Sequence, residues 1–303
     1  MSEMNESLAD ALLEKLTHHA EHAPVYELRQ PSVTELVERA HQWGGRVLGT
    51  PIDRDAPRID LCHRTDSTVI RLPEGGTVKI YHASGAMMIA RRLEPVSHTF
   101  GSQVDHERVI ERATEVIEGL DIPTRPVSGE RIEVERLWQI NAQGMTQRGD
   151  VGKPVVCRVV SAFRRYVDDF PVWGRASVFV KLAANDLVES VGVDWRERIT
   201  EAVDHVRLIE PNDAVRCVLA ELAVNTPGHL PEIDEYEPEL FAVGYFSLPK
   251  RRPQGFLQPV YVAALRARGD TTMSRLVVVP GAVAAYESLS RIAAAPPHEA
   301  ART

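Results

Sequence analysis

Three cysteines in 303 residues, Cys62, Cys157 and Cys217, lie far apart, and no Cys-x-x-Cys pair exists. That excludes a disulfide framework and a thiolate zinc site as the organising feature. Cys157 sits in the apolar run Val155–Val160, where a buried thiol with nothing to lower its pKa is the expected reading. No run approaches the roughly 18–20 apolar residues of a membrane span. The first residues, MSEMNESLADALLEKL, are acidic and amphipathic and lack the basic start of a signal peptide. A cytoplasmic protein without a membrane partner is expected. A net charge of −8 leaves no general affinity for nucleic acid. The chain contains no GxSxG, HExxH or GxGxxG, and Gly75-Gly76-Thr77-Val78-Lys79 lacks phosphate-loop spacing. No cofactor is expected and no catalytic residue is identified.

What is present is an ordinary globular balance, 44% hydrophobic and 26% charged. Residues 5–20 carry Leu8, Leu12, Leu13 and Leu16 at helical spacing. Ser32 with Glu35 forms a capping-box pattern opening a helix to Trp43, which Gly44-Gly45 should stop. After a linker at 46–57 come short strands at 58–63, 68–72, 77–82 and 87–93, then an amphipathic helix over 104–119. A strand at 131–140 leads into a meander of strands at 155–167, 172–182 and 187–193. Its turns fall at Asp168-Asp169 and Asn185-Asp186. A helix over 211–223 opens with proline, and strands at 232–237, 240–247, 257–266 and 275–280 precede a final helix over 281–293.

This pattern predicts an α+β fold of two curled antiparallel sheets, each with a packed helix, preceded by an N-terminal helical pair. The expected divisions are a helical segment 1–45, a first α+β unit 46–129, a second unit 130–293 and a disordered tail 294–303. The paired helices could dock a partner or a second copy, so a homodimer is one expected assembly.

Three groups of side chains are candidates for function. Arg164, Tyr166, Asp168, Trp173 and Arg175 crowd one hairpin, where an Arg/aromatic set can clasp a carboxylate or a ring. The competing reading is core-edge packing with cross-strand charge pairs. His82, His98 and His106, with Asp105, could form an acid/base set if the fold gathers them. Glu14, His18 and His22 share a helical face, but a solvated helix end is favoured over a metal site. Lys250-Arg251-Arg252-Pro253 reads as a solvated basic loop.

Over 130–267 the chain resembles PepSY-like and thermolysin-propeptide-like (cystatin-like) modules. Tyr166, Pro171, Val172, Gly174 and the run Gln258-Pro259-Val260-Tyr261-Val262 carry that resemblance. Asp169 departs from it, standing where such modules carry glycine. The resemblance implies a non-catalytic binding or regulatory module that recognises a protein partner through a curved sheet. The alternative is a small-molecule-binding protein or cofactor-independent enzyme of bacterial secondary metabolism. Its pocket in the sheet concavity would be lined by Tyr166, Trp173, Tyr245 and Tyr261.

Overall fold

The structure, a computed structural model, describes residues 3–17, 20–49, 60–72, 75–93, 98–100, 103–145, 147, 149–175, 177–224, 235–268 and 274–286. The first elements are α1 (Glu3–Glu14), β1 (Leu16–Thr17), β2 (His22–Glu27), α2 (Val33–Leu48), β3 (Asp60–His63), β4 (Ser67–Arg71), β5 (Thr77–Tyr81) and β6 (Met87–Ala90). Then come α3 (His106–Glu118), β7 (Glu130–Ala142), β8 (Val155–Val167), β9 (Phe170–Trp173), β10 (Val178–Ala183) and β11 (Leu187–Val193). The last are β12 (Asp204–Arg207), α4 (Pro211–Val224), β13 (Tyr236–Phe246), β14 (Phe256–Leu257), β15 (Pro259–Ala267) and β16 (Ser274–Pro280). They cluster into two compact units, each built from separate stretches of chain.

The larger unit comprises 29–197 and 249–254. All its strands, β3 to β11, form one antiparallel sheet in the order β3-β4-β5-β6-β11-β10-β8, with β7 and β9 also paired to β8. Two tight turns shape the meander. Asp168 and Asp169 take φ 47° and 67°, and Asn185 and Asp186 take 62° and 58°. Paired left-handed residues are what a twisted two-residue hairpin requires, and Asp and Asn tolerate them without glycine. The decisive join is non-local: Met87–Ala90 pairs with Val193–Ser190.

The expectation of two separate sheets, each with its own helix, is therefore overturned. Strands predicted for both α+β units share one sheet, and α2 and α3 both pack on it. Nor do the first helices form a pair, because α1 belongs to the smaller unit and α2 to the larger.

Helix α2 starts at Ser32 through the reciprocal Ser32–Glu35 cap, as its sequence demands. It runs through Gly44-Gly45 because Gly44 is buried in line with Leu36, Ala40 and Val47. It stops at Gly49, whose φ of 69° is the left-handed cap. Asp105 caps α3, which buries Val109, Ala113 and Ile117. Together the helices seal one face of the sheet over Ile70, Val78, Ile80, Ile89, Val159, Phe163, Val180 and Val191.

The smaller unit holds a mixed sheet, β16-β15-β13, with β1 parallel to β13 through Leu16↔Phe241 and Thr17↔Ala242. A second, three-stranded sheet runs β12-β2-β14. Helices α1 and α4 pack on each other, α1 also on β13 and α4 on β16. Among the described residues no helix is long and apolar enough to cross a membrane. Of the expected final helix, 281–286 are not helical and 287–293 lie outside the described residues, as do His18 and the tail 294–303.

One buried ion pair ties the meander to β7. The Arg165 side chain, 3% exposed, bonds Glu130 at 2.8–3.0 Å, donates to the Arg196 carbonyl at 2.7 Å and lies 4.2 Å over the Trp195 ring. Removing one partner of such a pair strands the other. Arg165→Met should lower stability in urea unfolding by about 3–5 kcal/mol, and adding Glu130→Gln should restore part of it. A loss below about 1 kcal/mol would show the pair to be incidental.

Candidate functional site: the open face of the larger sheet

Side chains alternate across a strand, so residues neighbouring the sealed face point to the other side. The register aligns them into rows that cross the sheet. One row reads Val69, Lys79, Met88, Gly192, Phe179, Ala162, Arg136 from β4 to β7. The next reads Arg71, Thr77, Ala90, Ser190, Lys181, Val160, Trp138. Val69, Lys79, Met88, Ala90, Phe179 and Lys181 are half-buried, and Trp138 is exposed. A Cβ on Gly192 would come within 2.1 Å of the Phe179 ring. Glycine there lets the ring lie flat on the sheet as part of an apolar platform.

Charge on this face is organised. Arg158 is buried and pairs with Glu189, which also takes the Lys181 ammonium at 2.7 Å. Burial alone would raise the Glu189 carboxyl, but these two cations outweigh it and hold it below its ordinary value. Lys79 and Arg136 have no carboxylate within ion-pair reach among the described residues. The Lys79 ammonium lies 4.9 Å from the centre of the Tyr81 ring and the Arg136 guanidinium 5.3 Å from that of Trp138.

The hairpin candidates lie on the same face. Arg164 pairs with Glu135, donates to the Val172 carbonyl at 3.2 Å and stands 4.2 Å over Trp173. Arg131 lies 4.7 Å over Tyr166 and bonds Glu133 and Asp169. Burial first, then Glu133, raises the Tyr166 phenol. Both the Arg/aromatic set and the cross-strand pairs are thus present together. Asp168 holds the turn, its N–H donating to the Gly129 carbonyl at 2.8 Å. Arg175 is exposed.

Tyr245 and Tyr261 belong to the smaller unit and are fully buried. Their hydroxyls donate to the Pro24 and Ile209 carbonyls, each at 2.9 Å, and burial pushes the Tyr261 phenol up to about 12. The histidines are separated by the register. His82 bonds Thr68 at the end of the sheet marked by Met87 and Val193. His98 is anchored at the other end, where its carbonyl accepts from the Ala184 N–H at 3.0 Å, and His106 reaches Gln139. Glu14 ends α1 and His22 begins β2, so they share no helix. Among the described residues no three His, Cys, Asp or Glu side chains are placed to hold a metal ion.

A third row, Ser67, Tyr81, Ala86 and then Asp194, follows from the Tyr81 N–H bond to the Ala86 carbonyl and the β6–β11 register. Sequence reasoning missed its chemistry. The basic segment is a loop with Arg251, Arg252 and Pro253 exposed, as expected, but its backbone is fastened to this unit. Arg196 donates to the carbonyls of Arg252 (3.0 Å), Pro249 and Ala83 (both 3.4 Å), and Ser84 to that of Lys250 (2.8 Å). The Lys250 ammonium is 4.3 Å from the Tyr81 ring centre. Burial opposes ionisation of Tyr81, yet Lys250 and Lys79 together bring the phenol below its ordinary value. Asp194 is half-buried overall, but its Oδ1 is shut off from solvent with no hydrogen-bond donor. Burial raises its carboxyl despite Arg196, Lys250 and Arg175 nearby. The signal for this arrangement is three-dimensional, since Tyr81, Asp194 and Lys250 are far apart in sequence.

A raised carboxyl binds protons more tightly in the folded state. Its contribution to stability is full below the unfolded carboxyl value and is lost as pH rises through the folded one. Asp194→Asn should therefore be more stable than the parent at neutral pH, with the gain shrinking toward pH 4, as read by thermal unfolding across pH. A variant less stable at every pH would mean that the carboxylate is needed in its charged form.

Compared with known proteins, the chain matches no family model and no curated protein. Among solved structures it is similar to an uncharacterized protein from Eubacterium rectale ATCC 33656, with a TM-score of 0.49 and 8% identity. The match covers 90% of this chain and 94% of that one. A likeness this loose carries no argument about function.

Proposed function

We propose that the chain is a non-catalytic binding module that recognises a protein partner through the open face of its larger sheet. One observation carries this reading. The sheet is sealed by α2 and α3 on one side, while the other presents half-buried Val69, Met88 and Phe179 among cations. Apolar side chains flanked by Arg and aromatic residues are the composition of an interface centre. A peptidase-type partner, as the PepSY resemblance implies, is one form this takes. The unpaired thiols of Cys62, Cys157 and Cys217 suit a reducing compartment, and the cytoplasm is the proposed location.

A photo-crosslinking residue placed at Met88 in the native host should capture a protein partner. The same residue at Glu107, on the solvent side of α3, should not. Met88→Asp should weaken association by about tenfold or more, the effect of losing one interface anchor. Equal capture from both positions, or none from Met88, would defeat the reading.

A further inference from the structure

We infer that the partner offers this face an acidic amphipathic helix; the inference rests on the binding role proposed above and specifies the chemistry of its occupant. The first argument is architectural. Strands β8 and β10 already carry α3 on their sealed side, and an apolar strip on their open side is the matching seat for a second helix. The seat is half-buried Met88 and Phe179, with exposed Trp138 in the adjoining row. Between them Gly192, Ser190 and Ala162 keep the floor low.

The second argument is charge. Lys79 and Arg136 end the Met88–Phe179 segment of their row, on β5 and β7. Five strand spacings separate those strands, about 24 Å. Two extended cationic side chains reaching inward leave room for one helix of about 10–12 Å diameter. Among the described residues neither cation has a carboxylate within ion-pair distance, Asp66 acting on Lys79 only from farther away, in a protein whose net charge is −8. Carboxylates flanking an apolar helical stripe would meet both and would be steered there from a distance. A basic helix would meet like charge at Lys79, Arg136 and Lys181, while the carboxylates of this face, Glu189, Glu135 and Glu133, are each already held by an arginine or lysine.

Three labelled 18-residue peptides test this by fluorescence anisotropy with the full chain. One has a leucine stripe flanked by glutamates, one the same stripe flanked by lysines, and one the acidic sequence broken by a central proline. The acidic helix alone should bind, and raising salt from about 0.05 to 0.3 M should weaken it about tenfold. Lys79→Glu with Arg136→Glu should weaken it at least as much, with an unchanged melting temperature confirming the fold. The inference falls if the acidic peptide fails to bind, if the lysine peptide binds as well, or if the double reversal changes nothing. Sequencing the segment crosslinked at Met88 separates the two claims. A neutral, basic or non-helical segment overturns this inference and leaves the binding face standing; no crosslinked protein at all removes both.

Discussion

Four residues of β6, Met87–Ala90, pair with Ser190–Val193 of β11, and the larger unit depends on that contact. It joins a hairpin series near the start of the chain to the central meander, closing a loop of about a hundred residues whose entropy must be offset by burial on the sealed face. Once the register is set, every side chain on β4 to β8 is assigned to a face. Met87 enters the core with Ile80 and Val193, while Met88 beside it joins Lys79 and Phe179 outside. A slip of one residue would exchange the two faces. The open face is thus a direct consequence of the core register.

On the open face the Phe179 ring lies over Gly192 and gives the central strands an apolar surface. The Arg158–Glu189–Lys181 group keeps one carboxylate fully matched, while Lys79 and Arg136 have no carboxylate within ion-pair distance among the described residues. At one end, Arg196 draws segment 249–254 onto the unit, placing Lys250 over Tyr81 and near the occluded carboxyl of Asp194. The segment is held through its backbone carbonyls, which accept from Arg196 and Ser84.

Local features were legible in the sequence. The Asp168-Asp169 and Asn185-Asp186 turns, the Ser32 cap and the spacing of α3 each act within a few residues, and each stands where its chemistry requires. The contact of Arg164 with Trp173 joins residues of one hairpin and so lay within local reach, whereas Tyr166 stacks with Arg131 of β7. What could not be read was long-range. Nothing near Met88 announces Gly192 as its neighbour, and nothing near Tyr245 or Tyr261 announces the carbonyls of Pro24 and Ile209. Gly44-Gly45 looked like a stop because its burial against the sheet is invisible in one helix read alone. Strands β3–β6 and β7–β11, expected in two separate sheets, share one because strand pairing has no local signature.

Adjacent Met87 and Met88, on opposite faces, supply the most direct test of the central claim. Hydroxyl-radical footprinting would compare their oxidation in the purified chain and in intact host cells. The account predicts that Met87, 2% exposed, resists in both, while Met88 is oxidised in the purified protein and protected in cells. Equal oxidation of Met88 in both settings would mean that the face is bare where the protein works, and would contradict the claim that a partner covers it.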